Sequence, residues 1–547
     1  MDTFDYVIIG AGSAGCVLAN RLSEDPGVTV CLLEAGPRDW HPYIHLPAGF
    51  IKVFYDRSVN WCYDQAPGPH IDNRVIYAPR GKTLGGSSSI NGHVYNRGQS
   101  LDFNTWAQEG NRGWGYADVL PYFKRMERKL GVGEDTYRGR NGPLTVNDHD
   151  WTHPLCEAFI QGCIENGIPR NTDYNGAVQE GVNYTQRTIS RGLRVSAAKA
   201  FLHPVIKRPN LDVKTGAHVL AITFDGKRAT GVRFVRRDRG DQEVTVKARR
   251  EVILSGGAYN SPQLLQLSGV GDPALLKQHG IEVRHVLPSV GVGLQDHYAP
   301  RINARVKGVE TINEMVRGWR LVRETLRWAW TRSSVLSQSP TVVYGFWHSG
   351  LSAESSDLQF TFTPASYKEG VQGQLEDEPG MTVGIWQQRP ESRGFVRIRS
   401  ADPFAAPEIQ TNYLAEERDR RVLIAGLKLA RKLLNSKPLQ PYIAYEAYPG
   451  DKVKSGSDAE WLAIARERGT TTFHPACTCR MGPTTDKGAV VDDQLRVHGL
   501  DGLRVVDASI MPRMISANLN AATMMIADKA SDMIRGKAAP DAIVLPA

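Results

Sequence analysis

The stretch from Asp5 to Gly36 constrains this chain more than any other. Tyr6-Val7-Ile8-Ile9 is apolar and β-branched on both faces, as a buried parallel strand requires. It runs straight into Gly10-Ala11-Gly12-Ser13-Ala14-Gly15. There Gly10 allows a tight turn, Gly12, with Ser13 beside it, lets a pyrophosphate approach the backbone, and Gly15 lets the next helix pack closely on the strand. That helix offers the pyrophosphate its unpaired N–H groups and positive end. A second strand, Val28-Thr29-Val30-Cys31-Leu32-Leu33, ends at Glu34-Ala35, where a carboxylate takes ribose hydroxyls and would repel a 2'-phosphate. A glycine turn in an ordinary βαβ unit would explain neither Glu34 nor the register of three glycines, so the unit reads as a dinucleotide site. It does not separate FAD from NAD, which lay down their ADP halves alike.

With 547 residues the chain exceeds one ordinary core, and two or more domains are expected. Hydrophobic residues at 41% and charged ones at 23% match globular usage and argue against disorder. A formal charge of +8, spread along the chain, disfavours a nucleic-acid partner. The first strand begins within five residues of Met1 and no run of about 18 apolar residues occurs, so a cytoplasmic protein is the expectation. Seven cysteines without such a leader argue for reduced thiols, and Cys477 and Cys479 lack the spacing of a zinc site, so no metal is expected.

A second glycine-rich run, Tyr77-Ala78-Pro79-Arg80-Gly81-Lys82-Thr83-Leu84-Gly85-Gly86-Ser87-Ser88-Ser89-Ile90-Asn91-Gly92, allows backbone to lie flat against a planar ligand. This loop, the opening unit, Gly257-Ala258-Tyr259-Asn260-Ser261-Pro262, Leu294-Gln295-Asp296-His297 and the C-terminal stretch together resemble the glucose-methanol-choline oxidoreductases over nearly the whole chain. The resemblance implies FAD, and within the family it is nearest to bacterial alcohol, sorbose and choline-type dehydrogenases. By position it makes Thr83, Gly86, Asn91, Gly92 and Val94 contacts of the flavin half, and Val219 a backbone contact to adenine. Ile90 stands where some relatives carry a flavin-linking histidine, which implies non-covalent FAD.

The expected fold is α/β: a Rossmann-like FAD unit (1–154, 194–305 and 468–547) with an inserted α+β substrate unit (155–193 and 306–467) on an antiparallel sheet. Leu211-Asp212-Val213-Lys214, Val219 to Phe224 and Gly231 to Val235 alternate at period two and read as a small antiparallel sheet beside the dinucleotide fold.

Near the C-terminus, Pro475 pushes His474 into an extended conformation that leaves its imidazole projecting. With an unperturbed pKa of about 6.5, a histidine can take an alcohol's proton as hydride leaves carbon. The resemblance makes His474 the catalytic histidine and Asn518 its partner, with hydride passing to flavin N5. Ala476-Cys477 departs from the family's commoner Val-Gly and brings a thiol near the site. Asp507-Ala508, closing a strand, fit a ribityl or pyrophosphate contact. Asn520 is expected to cap a helix from Ala521 to Arg535 that turns Lys529 and Asp532 outward.

The sequence thus points to oxidation of a primary alcohol to an aldehyde, with a flavin-bearing lyase or a sugar or polyol oxidase as alternatives. A neutral alcohol is expected rather than choline, since Thr341 to Trp347 offers aromatics and no carboxylate. The acceptor is quinone or dioxygen. Met315 to Arg332 places Trp319, Val322, Leu326, Ala329 and Trp330 on one helical face and Arg320, Arg323, Glu324 and Arg327 on the other. This is the pattern of a peripheral membrane anchor, here at the inner membrane, or of a stripe packed on its own core or a second subunit.

Overall fold

The structure, a computed structural model, describes residues 2–236, 240, 242–352, 354–368 and 373–545. Thr3–Ile9 pairs in parallel with Val30–Leu33, and the helix Ser13–Leu22 connects them. Val7, Ile8, Val30 and Leu32 are wholly buried, because layers cover both faces of the sheet. The sheet runs in the order Leu211–Lys214, Val30–Leu33, Thr3–Ile9, Gln242–Leu254, Arg228–Arg236, Ala217–Asp225, and Leu503–Val505 joins on Gln242–Leu254.

The expectation of a separate antiparallel sheet fails at Leu211–Lys214, which is the parallel edge strand beside Val30–Leu33. Only Ala217–Asp225 and Arg228–Arg236 are antiparallel, and they continue the same sheet. The long strand Gln242–Leu254 makes this possible: Gln242 to Lys247 pairs with the hairpin, and Lys247 to Leu254 pairs in parallel with Thr3–Ile9.

The helix Leu519–Arg535 packs on Ser13–Leu22 and begins two residues earlier than expected, so Asn518, not Asn520, holds the cap position. Lys529 and Asp532 do not face out. Both are buried: Lys529 lies over the rings of Trp114 and Tyr122, and Asp528 and Asp532 bind Arg125 and Arg535. Compensated charges fill a face that a polarity pattern assigns to solvent.

A second sheet is antiparallel throughout, in the order Ile443–Tyr448, Arg301–Val306, Gly380–Gln387, Leu358–Thr363, Val343–Trp347, Gly181–Tyr184. Side chains alternate between its faces. Ile302, Phe360, Phe362, Val383 and Ile385 join a core with the helices Pro154–Glu165 and Glu417–Leu434, where Phe159 stacks on Phe362 at 4.4 Å. The opposite face, with Arg301, Asn303, Tyr344, Thr361, Thr363, Thr382 and Trp386, lines a large cavity. We therefore propose to draw the second unit from about Arg301, ahead of the expected boundary at 306.

The helix Gly318–Thr331 turns Glu324 and Trp328 inward. Its apolar stripe faces solvent, with Trp319 68%, Leu326 67% and Trp330 91% exposed, so it does not pack on its own core. The arginines flank the stripe on one side instead of opposing it; Arg320 and Arg323 both pair with Glu310. No helix among the described residues is long and apolar enough to cross a membrane.

Candidate active site

One cavity of about 1430 Å³ extends from the glycine loops to the face of the second sheet. It exceeds the roughly 300–1,000 Å³ of ordinary small-molecule pockets, as a dinucleotide plus a substrate would require. At one end the wall is backbone. A Cβ on Gly86 would come within 2.7 Å of the Gly12 Cα, so the two glycine loops lie against each other with no side chain between. Gly10 has φ +97 and a Cβ there would strike the Ser255 carbonyl at 2.5 Å. Such a cradle fits a pyrophosphate laid on N–H groups.

Of the residues expected to bind cofactor, Gly10, Gly12, Ser13, Glu34, Ala35, Gly86, Asn91, Gly92, Val94, Val219, Asp507, Ala508 and Asn520 line this cavity. Gly15 and Thr83 do not. Gly15 serves the packing read from it, since a Cβ would sit 1.9 Å from the Gly10 carbonyl oxygen. The Thr83 hydroxyl donates to the Pro37 carbonyl at 2.9 Å.

Glu34 also shapes the cradle. Its carboxylate accepts the backbone N–H groups of Ala11 and Gly36, each at 2.9 Å. Burial pushes its pKa up to about 7, with those two N–H groups pulling the other way. Asp507 accepts Gly257 N–H at 2.8 Å and the Ser261 hydroxyl at 2.6 Å, tying the last strand to the helix Gly257–Leu267. Asn520 accepts the Ser13 hydroxyl at 2.7 Å. Ile90 lines the cavity with no nucleophile. The Cys477 thiol lies outside the cavity, 3.4 Å from Gln295 Oε1, and burial raises its pKa to about 12.

At the other end the wall is made of side chains. Asn518 Nδ2 donates to His474 Nε2 at 3.0 Å, and Asn518 Oδ1 accepts the Tyr344 hydroxyl at 3.4 Å. Behind His474, its Nδ1 lies 3.0 Å from Nδ1 of His297 and 2.8 Å from the Thr472 hydroxyl. The hydrogen on that nitrogen follows from the outer partners. His297 Nε2 faces the Gln388 carbonyl at 2.7 Å and must donate, which leaves His297 Nδ1 as an acceptor. Thr472 donates its own hydrogen to the His297 carbonyl at 3.3 Å. His474 Nδ1 therefore carries the proton, and Nε2 keeps its lone pair toward Asn518.

Burial, the facing His297 and the Arg80 guanidinium hold the His474 pKa well below the ordinary histidine value. Burial brings His297 down to about 4. Asp296 fixes the backbone beneath them, accepting the His474 N–H at 2.8 Å. Nothing local in the sequence assigns a role to His297, Thr472, Arg80 or Tyr344. Asp296-His297 belongs to a motif of the family resemblance, but nothing beside it in the chain pairs it with His474, 177 residues further on.

A family model of the GMC oxidoreductases matches residues 4–299 and another residues 390–527. The chain belongs to the GMC oxidoreductases. It is 42% identical over 535 residues to an alcohol dehydrogenase [acceptor] of Pseudomonas putida, covering 97% of this chain and 95% of that one. It is 42% identical over 547 residues to the mitochondrial choline dehydrogenase of Homo sapiens, at 98% and 91% coverage. Among solved structures it superposes on pyridoxine 4-oxidase from Mesorbium loti with a TM-score of 0.88 and 29% identity, over 98% of this chain and 100% of the other. A formate oxidase of Aspergillus oryzae RIB40, studied for modification of its FAD, gives 0.90 at 26% identity over 98% of each chain. This GMC member is an FAD-dependent oxidoreductase acting on CH–OH groups.

Proposed function

We propose that this GMC oxidoreductase oxidises a primary alcohol to its aldehyde, with His474 as general base. The observation that carries the reading is the His474–Asn518 pair at 3.0 Å, set in the wall of the cavity that holds the glycine cradle. Bound FAD supplies a two-electron acceptor for the hydride. His474 Nε2, neutral because its pKa is depressed, takes the hydroxyl proton. Asn518 has a second amide hydrogen with which to hold the substrate oxygen, and Tyr344 orients that amide from the far side. Val94, Tyr344 and Phe346 pack together behind this point and exclude water. With Ile90 at the linking position, FAD is held by the cradle alone.

A choline substrate is disfavoured by the sheet wall, which among the described residues presents Arg301 and no carboxylate to the cavity. Anaerobic mixing of the yellow holoenzyme with a panel of primary alcohols should bleach the flavin. A flavin that no alcohol reduces would remove this reading and favour a lyase.

The exposed stripe of Gly318–Thr331 favours a second element of the proposal, delivery of electrons to a quinone at an anionic membrane surface. Arginines beside two outward tryptophans suit such a surface; Arg323 lies over the Trp319 ring at 5.3 Å. Because two of the arginines are already paired, the apolar residues make the sharper test. Changing Trp319, Leu326 and Trp330 to glutamine should abolish co-sedimentation with anionic vesicles, and equal partition of variant and wild type would reject the contact.

A further inference from the structure

Arg301 is a cation in the substrate wall without an anion among the described residues. It lines the cavity from the strand Arg301–Val306, and among the described residues it makes no hydrogen bond or ion pair. Arg305, on the same face of that strand, is paired with Glu376 and Glu378. The contrast is informative, because a half-buried cation on a cavity wall, left without a partner among the described residues, is available to an anion in the cavity.

The neighbours of Arg301 do not neutralise it. Thr363 and Tyr367 both donate their hydroxyls to the Pro340 carbonyl, and Thr382 donates to Ala365. Of the carboxylates lining the cavity, Glu34 and Asp507 are bonded within the cradle, Glu467 is paired with Lys452, and Asp64 lies on the Tyr63–Asp64 strand. Lys368, exposed on the cavity wall, adds a second positive group.

A glycine directs the side chain. Arg301 is paired across the sheet with Gly384, where a Cβ would come within 3.5 Å of Arg301 Cγ and 2.9 Å of Thr361 Oγ1. The arginine thus lies across the bare backbone of Gly384 toward Thr361. Two residues along the same strand face, about 7 Å by strand geometry, stands Trp386. Its ring centroid is 6.3 Å from Tyr344 and 6.4 Å from His297. The cation is therefore one side-chain repeat from the wall beside the proton-accepting pair.

We propose that Arg301 determines specificity by binding a carboxylate at the end of the substrate away from the reacting hydroxyl, so that the enzyme prefers hydroxy acids whose two groups are several carbons apart. One planar guanidinium matches one carboxylate in bidentate fashion. The carboxylate takes no part in bond changes: the carbinol C–H and O–H bonds break, the hydride goes to the acceptor, the proton to His474, and a C=O bond forms. The inference rests on the alcohol-oxidation reading above and names a hydroxy acid where the sequence alone led to a neutral alcohol.

The test compares ω-hydroxy acids with their methyl esters in anaerobic flavin reduction by the holoenzyme. The acid should exceed the ester in kcat/KM by about 10- to 100-fold, the worth of charge-assisted hydrogen bonds, chiefly through KM. Arg301→Met should erase that ratio, and Arg301→Lys should restore part of it. A non-oxidisable carboxylate such as hexanoate, titrated by perturbation of the flavin spectrum, should bind wild type and not Arg301→Met. Equal use of acid and ester by wild type, or unchanged hexanoate binding in Arg301→Met, would overturn the assignment. If no alcohol bleaches the flavin, the reaction proposed above fails, and the hexanoate titration still decides Arg301.

Discussion

At one end of the cavity the chain presents backbone from two glycine loops, closed by Glu34; at the other it presents the side chains of His474 and Asn518, backed by the buried His297 from a third distant segment. The first end is rigid because no side chain intervenes between Gly12 and Gly86, and it has little chemistry of its own. The second is an ordered relay in which each hydrogen bond fixes the next, from Gln388 through His297 and His474 to Asn518. Retention of the flavin and reactivity of the flavin should therefore be separable by mutation.

The largest effect is expected at the reactive end. His474→Ala should purify with full flavin content and lose roughly 100- to 10,000-fold in the rate of flavin reduction, the usual worth of a positioned general base. Stopped-flow bleaching measures it. A variant that loses its flavin as well would show that the two ends are not separable.

Glu34→Ala tests the same division from the cradle. It removes acceptors for two backbone N–H groups as well as the proposed ribose partner. At about 1.5 to 3 kcal/mol per charge-assisted bond, FAD should dissociate about 10- to 100-fold more readily, while the flavin that remains is reduced at the wild-type rate. Because Ile90 offers no linking nucleophile, acid denaturation of wild type should release all the colour. Full flavin content in the variant, or colour fixed to the denatured chain, would mean that something other than this cradle holds the cofactor.

The two ends also differ in how far sequence reveals them. The cradle is contiguous: a β-branched strand, three glycines in register and an acid after the next strand lie within Asp5 to Gly36. The relay is not, since His297 and His474 are 177 residues apart and are brought together by the pairing of Tyr298–Ala299 with Thr470–Thr471. Periodicity misled where it was silent about direction. It grouped Trp319, Leu326 and Trp330 on one face of Gly318–Thr331 but not toward solvent, and it sent Lys529 and Asp532 outward because their partners lie elsewhere in the chain. At Leu211–Lys214 alternation suits an exposed parallel edge as well as an antiparallel strand.

The smallest effect sharpens the comparison most, because it concerns a residue that acts only through another. His297 fixes the proton of His474 and lowers its pKa, so it is a positioning residue. His297→Leu should retain flavin and slow its reduction about 2- to 10-fold, the worth of one ordinary hydrogen bond. The pH profile distinguishes positioning from a packing defect. The reactive form of His474 is neutral, and its depressed pKa means that wild-type reduction should already be level at pH 6.5 and fall only well below it. Removing the facing imidazole takes away one of the two neighbouring groups that, after burial, depress that pKa, so the rise in rate should move to higher pH. A packing defect would lower the whole profile without shifting it. An unmoved profile would leave burial and Arg80 as the groups that keep His474 neutral, and the relay would end at His474.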